Sequence, residues 1–358
     1  MQTRIIKIIN VRNASAIFAE AGEIIRSGGL VAFPTETVYG LGANGLKADA
    51  CAKIYEAKGR PSDNPLILHV ADRAMVDLVA KEVTPMAERI LAAFAPGPVT
   101  VILPKCAEVP TSVTGGLSTV GVRMPDNDIA RALIRAAGMP IAAPSANRSG
   151  RPSPTTAETV LADMDGKIPL ILDGGSCRFG VESTIVDCTG EHAEILRPGA
   201  ITREMLAEVL GELAPPPILH GEEAPRAPGM KYTHYAPLAP LTLMDVPEGE
   251  NRQERLFSAI CDAVCEAKAN GKRPGLIVSR EIAERIAPLH LVPPECVAVY
   301  GSADDLSEIA AHLYESLRYF DDTDVDVLFA EAVEETGLGV AIMNRLKKAA
   351  GGRVRFAD

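Results

Sequence analysis

The sequence predicts an α/β protein in two parts: a first domain over residues 1–210 built on a twisted mixed sheet, and a smaller, doubly wound parallel domain over residues 241–358. Three observations carry this. Short β-rich runs alternate with helical patterns up to about residue 210, a proline-dense stretch follows over 211–240, and a regular βα repeat fills the rest. Alternation of this kind places helices against a largely buried sheet.

In the first part, TRIIKII, LVAFPTE, PLILHV, VTVILP, STVGVRMP, PIAAPS, LILDGG, STIVDC and AEILRP have the β-branched, apolar character of strands. Helical periodicity covers Ala14 to Arg26, with Asn13 as the expected cap and Gly28 and Gly29 beyond the end. It returns at Ala50 to Ala57, Met86 to Phe94, Asn127 to Ala137 and Thr155 to Ala162.

GELAPPPILHGEEAPRAPGMKYTHYAPLAP, residues 211–240, has prolines every few positions and is expected to be a semi-rigid linker, able to serve as a lid. Beyond it LTLMDV, GLIVS, VAVYG and VDVLFA are expected strands. They alternate with helices over Gln253–Ala269, Ile282–Ala287, Leu306–Tyr319 and Val340–Ala350, the order of a parallel sheet.

Composition narrows the function classes. The chain is 47% hydrophobic and only 4% aromatic with no Trp, so a stacking platform for single-stranded nucleic acid is poorly supplied. Net charge is −11, and residues 241–358 carry 21 acidic against 13 basic side chains, which disfavours polyanion binding there. Seven cysteines without a C-x-x-C pair fit reduced thiols, and Cys261 and Cys265 are expected to pack in a helix core rather than bind metal. No apolar run is long enough for a membrane span and no secretory leader is evident, so a cytoplasmic location is expected.

Several motifs bear on chemistry. Gly40, Gly42 and Gly45 match G-x-G-x-x-G, but the acidic residue that a dinucleotide site needs at the end of the next strand is missing. In AKGRPSDNPLILHV, Lys58 fits a helix C-terminus by its charge; Arg60, Ser62 and Asn64 remain unexplained, and fixed cations beside neutral donors suit a triphosphate. Ser145, Asn147, Ser149 and Ser153 in APSANRSGRPSPT form either a capped loop or a donor-rich anion site. Read alone, Arg123 is a solvent-facing strand residue and His69 a satisfied core histidine. PTETVYGLGA and GVESTIVD add hydroxyls and carboxylates at strand ends, where α/β ligands bind. No triad order, carboxylate pair or metal-ligand spacing emerges, so binding and orientation of an anionic substrate fit better than nucleophilic catalysis.

PTETVYGLGA, AKGRPSDNPLILHV, PGPVTVIL, VGVRMP, APSANRSGRPSPT, ILDGG, GVESTIVD and ILRPGAI, in that order over about 200 residues, resemble the YrdC-type threonylcarbamoyl-AMP synthases. The Lys-x-Arg at 58 and 60 and the Ser-x-Asn at 145 and 147 match that family's paired signature, and HYAP at 234–237 with the βα tail resembles its longer, two-domain form. The resemblance implies a YrdC-like first domain, a Rossmann-like second one, and a nucleotidyltransferase. Its reaction joins L-threonine, bicarbonate and ATP into L-threonylcarbamoyladenylate, releasing pyrophosphate and water. A separate transferase complex then uses that product to modify tRNA beside the anticodon, so no stable nucleic-acid complex of this chain is implied.

By the same resemblance Thr37, His69, Arg123, Ala143 and Ser183 hold threonine. Lys58, Arg60, Asn64, Thr119, Ser145, Asn147, Ser153 and Arg197 hold ATP, with Tyr235 reaching it from the linker; Lys58 and Arg60 are the catalytic pair. Mg²⁺ rides on the phosphates rather than on a protein site. Three rivals are weighed against this. An RNA-binding module would use the basic pocket without chemistry, a carbamoyl-phosphate-using transferase would carry zinc-finger cysteine pairs, and an oxidoreductase rests only on GLGANG.

Overall fold

The computed structural model describes residues 2–217, 225–230, 234–247, 249 and 251–356. The chain divides into two compact units: Met1–Ser149 with Ser153–Tyr232, and Gly150–Pro152 with Thr233–Asp358. Part of the expected linker, residues 218–224 and 231–233, lies outside the described residues.

The first unit is built on β1 (Arg4–Lys7), β2 (Val31–Phe33), β3 (Gly40–Asn44), β4 (Ile67–His69), β5 (Val99–Pro104), β6 (Thr119–Arg123), β7 (Ile141–Ala142), β8 (Leu170–Asp173), β9 (Thr184–Asp187) and β10 (Glu194–Arg197). They form one sheet in the order β1-β8-β2-β3-β7-β4-β6-β5-β9-β10. It is mixed: β1, β8 and β2 run parallel, as do β4 with β6 and β5 with β9, while the remaining pairs are antiparallel.

The expected strands are all present, and one more stands where G-x-G-x-x-G was considered. Gly40–Asn44 is a buried strand rather than a phosphate-binding turn. Its glycines leave room for neighbours: a Cβ on Gly42 would lie 2.8 Å from Phe33 and 2.9 Å from Ile141, and one on Gly45, just past the strand, 2.5 Å from Leu68. Close packing of a central strand therefore explains the motif.

The helix Ser15–Arg26 corrects another expectation. Asn13 does not cap it, because Asn13 lies inside a short 3₁₀ turn (Val11–Asn13) whose own cap is Asn10; Ala14 precedes the helix with no side-chain bond. Two other helices are capped as the sequence rules demand. Asn127 accepts from Ala130 N–H, and Thr156 from Thr159 N–H, which starts that helix at Ala157 rather than Thr155.

The second unit carries β11 (Leu241–Asp245), β12 (Pro274–Ser279), β13 (Val297–Gly301), β14 (Val327–Glu331) and β15 (Val354–Phe356). Their order is β13-β12-β14-β11-β15, and every pair is parallel, as expected; β15 was not legible in the sequence. In the helix Arg252–Ala269 the buried stripe is Leu256, Ala259, Ile260, Ala263, Val264 and Ala267. Cys261 is thus only half-buried and Cys265 is exposed, so the expectation that both pack in the core fails at Cys265, which the helical period carries past the stripe. Among the described residues no helix is long and apolar enough to cross a membrane.

Candidate functional site

A strand sends successive side chains to opposite faces of its sheet. On β4, β5 and β6 the residues Leu68, Val99, Val101, Leu103, Val120 and Val122 all enter the main core of the first unit. Their neighbours in sequence, Ile67 and His69, Thr100 and Ile102, and Thr119, Gly121 and Arg123, therefore share the other face. The register confirms the row: Ile67 lies opposite Gly121, His69 opposite Arg123, and Ile102 opposite Gly121. Gly121 keeps the row low, since a Cβ there would lie 3.3 Å from Thr100 and 3.4 Å from Ile67.

Arg123 is buried, which overturns its reading as a solvent-facing residue. Its Nη2 donates to Thr37 Oγ1 at 2.8 Å and lies 2.8 Å from Glu36 Oε1. The Glu36–Thr37 turn is held locally, because Thr35 Oγ1 accepts from the N–H groups of Thr37 and Val38.

His69 stands beside Arg123 on β4, its ring edge-on to Phe33 at 6.1 Å between centroids. Burial, and then the Arg123 charge, pull its pKa down to about 3 against the raising effect of hydrogen bonding to the Ile67 and Ile141 backbones. The imidazole is therefore neutral at physiological pH and serves as a hydrogen-bonding group, not a cation. The unfolded chain takes up a proton near pH 6.5 and the folded chain does not, so stability falls as the pH drops from 6.5 towards 3. His69→Gln should flatten that decline by about 1–3 kcal/mol between pH 7.5 and 4.5, read from urea melts at the two pH values. Parallel declines in both proteins would contradict the neutral assignment.

Ser183 lies just before β9. Its hydroxyl is 2.8 Å from Thr100 Oγ1, and Arg197 donates to it at 3.2 Å and, through Nε and Nη2, to its carbonyl at 3.1 and 2.9 Å. Ser153 donates to Glu182 Oε1 at 2.6 Å, in a buried pair next to Ser183. Thr100 escaped the sequence reading; its signal was a lone hydroxyl in VTVILP at the non-core parity.

Linker residues 225–230 pack onto the same face. Ala227 and Met230 join Ile67, Ile102, Ile185 and Leu196 in one apolar cluster. Arg226 pairs with Asp187 at 3.2 Å and Glu194 at 2.7 Å. A narrow crevice remains, lined by Pro65, Thr100, Thr119, Gly121, Arg226 and Pro228 among others, and it places Thr119 beside the linker.

The two polar motifs meet. Lys58, in the last turn of the helix Ala48–Lys58, is buried and donates through Nζ to the carbonyl oxygens of Ser145 and Asn147. Ser145 Oγ in turn donates to Asn147 Oδ1. Gly59 then takes φ +63°, the left-handed conformation that turns the chain out of the helix. The half-buried Arg60 reaches back to Pro65 O at 3.0 Å, bracing the entry to β4. Asn64 is buried, and its Oδ1 has no hydrogen-bond partner. Ala143 N–H donates to Ile67 O at 3.0 Å, fixing the loop after β7 to β4.

Tyr235 belongs to the second unit. There it is buried, at φ +66°, stacked on Tyr314 with centroids 5.1 Å apart, and the Arg345 guanidinium lies 5.9 Å from its ring. The first unit thus gathers Thr37, His69 and Arg123 in one place, Ser183 with Arg197 in a second, and Lys58 with Ser145 and Asn147 in a third. Among the described residues no group of three His, Cys, Asp or Glu side chains is arranged to hold a metal ion.

Residues 23–199 match the Sua5/YciO/YrdC family model, described as telomere recombination, and residues 201–351 match the model described as threonylcarbamoyl-AMP synthase, C-terminal domain. A threonylcarbamoyl-AMP synthase of Pyrococcus abyssi is 46% identical over 352 residues, 97% of this chain and 98% of the relative. One of Bacillus subtilis is 47% identical over 338 residues, 94% and 93% of the two chains. The crystal structure of P. abyssi Sua5 complexed with L-threonine superposes with a TM-score of 0.89 at 44% identity, covering 99% of this chain and 100% of that one.

Proposed function

The chain belongs to the threonylcarbamoyl-AMP synthase family, and we propose that it joins L-threonine, bicarbonate and ATP into L-threonylcarbamoyladenylate, acting as a nucleotidyltransferase. The observation that carries this reading is the buried Arg123, which stands beside a neutral His69 and donates to Thr37. Such a site offers a carboxylate a dry cation and a hydroxyl or amine a neutral partner. The complex of P. abyssi Sua5 with L-threonine supports threonine as the amino acid.

In this reading Thr37, His69, Arg123, Ala143 and Ser183 surround threonine. Lys58, Arg60, Asn64, Thr119, Ser145, Asn147, Ser153 and Arg197 surround ATP. The threonine nitrogen bonds to the carbon of carbon dioxide drawn from bicarbonate, and the amine gives up its protons to form a carbamate. A carbamate oxygen then bonds to the α-phosphorus as the bond to the bridging oxygen breaks, and pyrophosphate leaves. Both partners are anions, so the work of the protein is to cancel charge and hold them in line, worth about 7–11 kcal/mol of the barrier when alignment is good. Mg²⁺ held by the phosphate oxygens and water supplies further neutralisation. Residues 225–230, already on this sheet face, shield the labile anhydride from water.

The adenylate is an activated acyl donor suited to the modification of tRNA beside the anticodon by a separate transferase complex, in the cytoplasm. The test is pyrophosphate release from ATP with threonine, bicarbonate or both omitted: release should need all three. Arg60→Ala should lower it at least tenfold with the fold intact, because Arg60 is only half-buried. Undiminished release would remove Arg60 from the reacting set.

A further inference from the structure

The Glu36–Arg123 pair is buried yet incompletely satisfied. Its side chains are 2% and 5% exposed, and Arg123 Nη2 lies 2.8 Å from Glu36 Oε1. Neither carboxylate oxygen of Glu36 accepts a hydrogen bond, and Arg123 Nε has no acceptor. An ion pair kept out of water for stability alone needs good geometry and further hydrogen bonds to offset desolvation. In this pair the one further hydrogen bond runs from Arg123 to Thr37, and Glu36 is left with none.

What it has is surplus acceptor capacity on Glu36 and surplus donor capacity on Arg123, next to the hydroxyl of Thr37. An amino acid in its zwitterionic form carries the complement: a carboxylate that only accepts and an ammonium that only donates. Accepting the reading of this site as the threonine site, we infer that Glu36 binds the α-ammonium while Arg123 binds the α-carboxylate. A zwitterion laid across an ion pair brings no net charge into the pocket. The pair in the free protein then holds each partner's charge until substrate takes its place in the contact. Glu36 is on this account a specificity-determining residue: it makes the enzyme select an α-amino acid over an acid that lacks the amine.

The test is calorimetric titration of the full chain with threonine and with its α-hydroxy analogue, in which the amine is replaced by a hydroxyl. Wild type should prefer threonine at least tenfold. Glu36→Gln, which keeps shape and removes charge, should reduce that preference at least tenfold, and Glu36→Asp should restore part of it. A structural role alone would weaken both ligands equally and leave the ratio unchanged, which would overturn the inference. Should Glu36→Gln not fold, as judged by circular dichroism, the wild-type comparison decides: analogue and threonine binding alike means that the ammonium is not read. Failure of wild type to bind threonine at all would instead overturn the reading of the site itself.

Discussion

Arg123→Ala is expected to destabilise the first unit by about 3–5 kcal/mol, because it strands the Glu36 carboxylate in a dry site without its counter-ion. Both side chains are almost fully enclosed, so water cannot take over the lost partner. The remedy is specific. Combining Arg123→Met with Glu36→Leu removes both charges and should recover much of the loss, as replacing a buried pair with apolar groups commonly does. Urea denaturation of the single and double variants measures this, and a loss under about 1 kcal/mol for Arg123→Ala would show that the carboxylate does not need the guanidinium. Threonine-dependent pyrophosphate release should vanish in both variants, which separates the recovered fold from the lost function.

Lys58→Met is expected to lower pyrophosphate release at least a hundredfold and stability by about 2–4 kcal/mol, the latter from two charge-assisted hydrogen bonds to carbonyls. The Lys58 ammonium holds Ser145 O and Asn147 O, while its own carbonyl accepts Ser149 N–H at 2.9 Å. One residue thus joins a helix end to the loop of the second motif. Thermal melts read beside the activity assay distinguish two roles: lost activity at unchanged melting temperature assigns the charge to substrate, and both unchanged would remove Lys58 from the site. Lys58→Arg is not expected to rescue, since a planar fork does not fit a pocket shaped by two converging carbonyls.

Much of this architecture was legible because apolar alternation and cap chemistry are local. Asn127 and Thr156 cap the helices where their short side chains demand, and the parallel order of the second unit follows from its βα rhythm. Other parts were hidden for physical reasons. Gly40–Asn44 is hidden as a strand because strand propensity rewards side-chain packing, and here the packing comes from Phe33, Ile141 and Leu68 instead. Val354–Phe356 is three residues at an edge, paired only with β11, and too short to show a period. Arg123 read as exposed because the sequence gives its alternation but not which face of β6 is covered, and Glu36 is brought to it by a contact spanning 87 positions of chain. Long-range pairing of this kind decides the role of a charged residue, and no local pattern encodes it.

The two faces of β6 have a consequence for assembly of the chain. Val120 and Val122 point into oil while Thr119 and Arg123 point to the polar row, so a strand that zipped up one position out of step would drive a guanidinium into the apolar interior and strip the pocket of its cation. The side chains needed for chemistry therefore also proofread the pairing: a mis-threaded molecule pays for its error in desolvation before it could ever compete with the correct one.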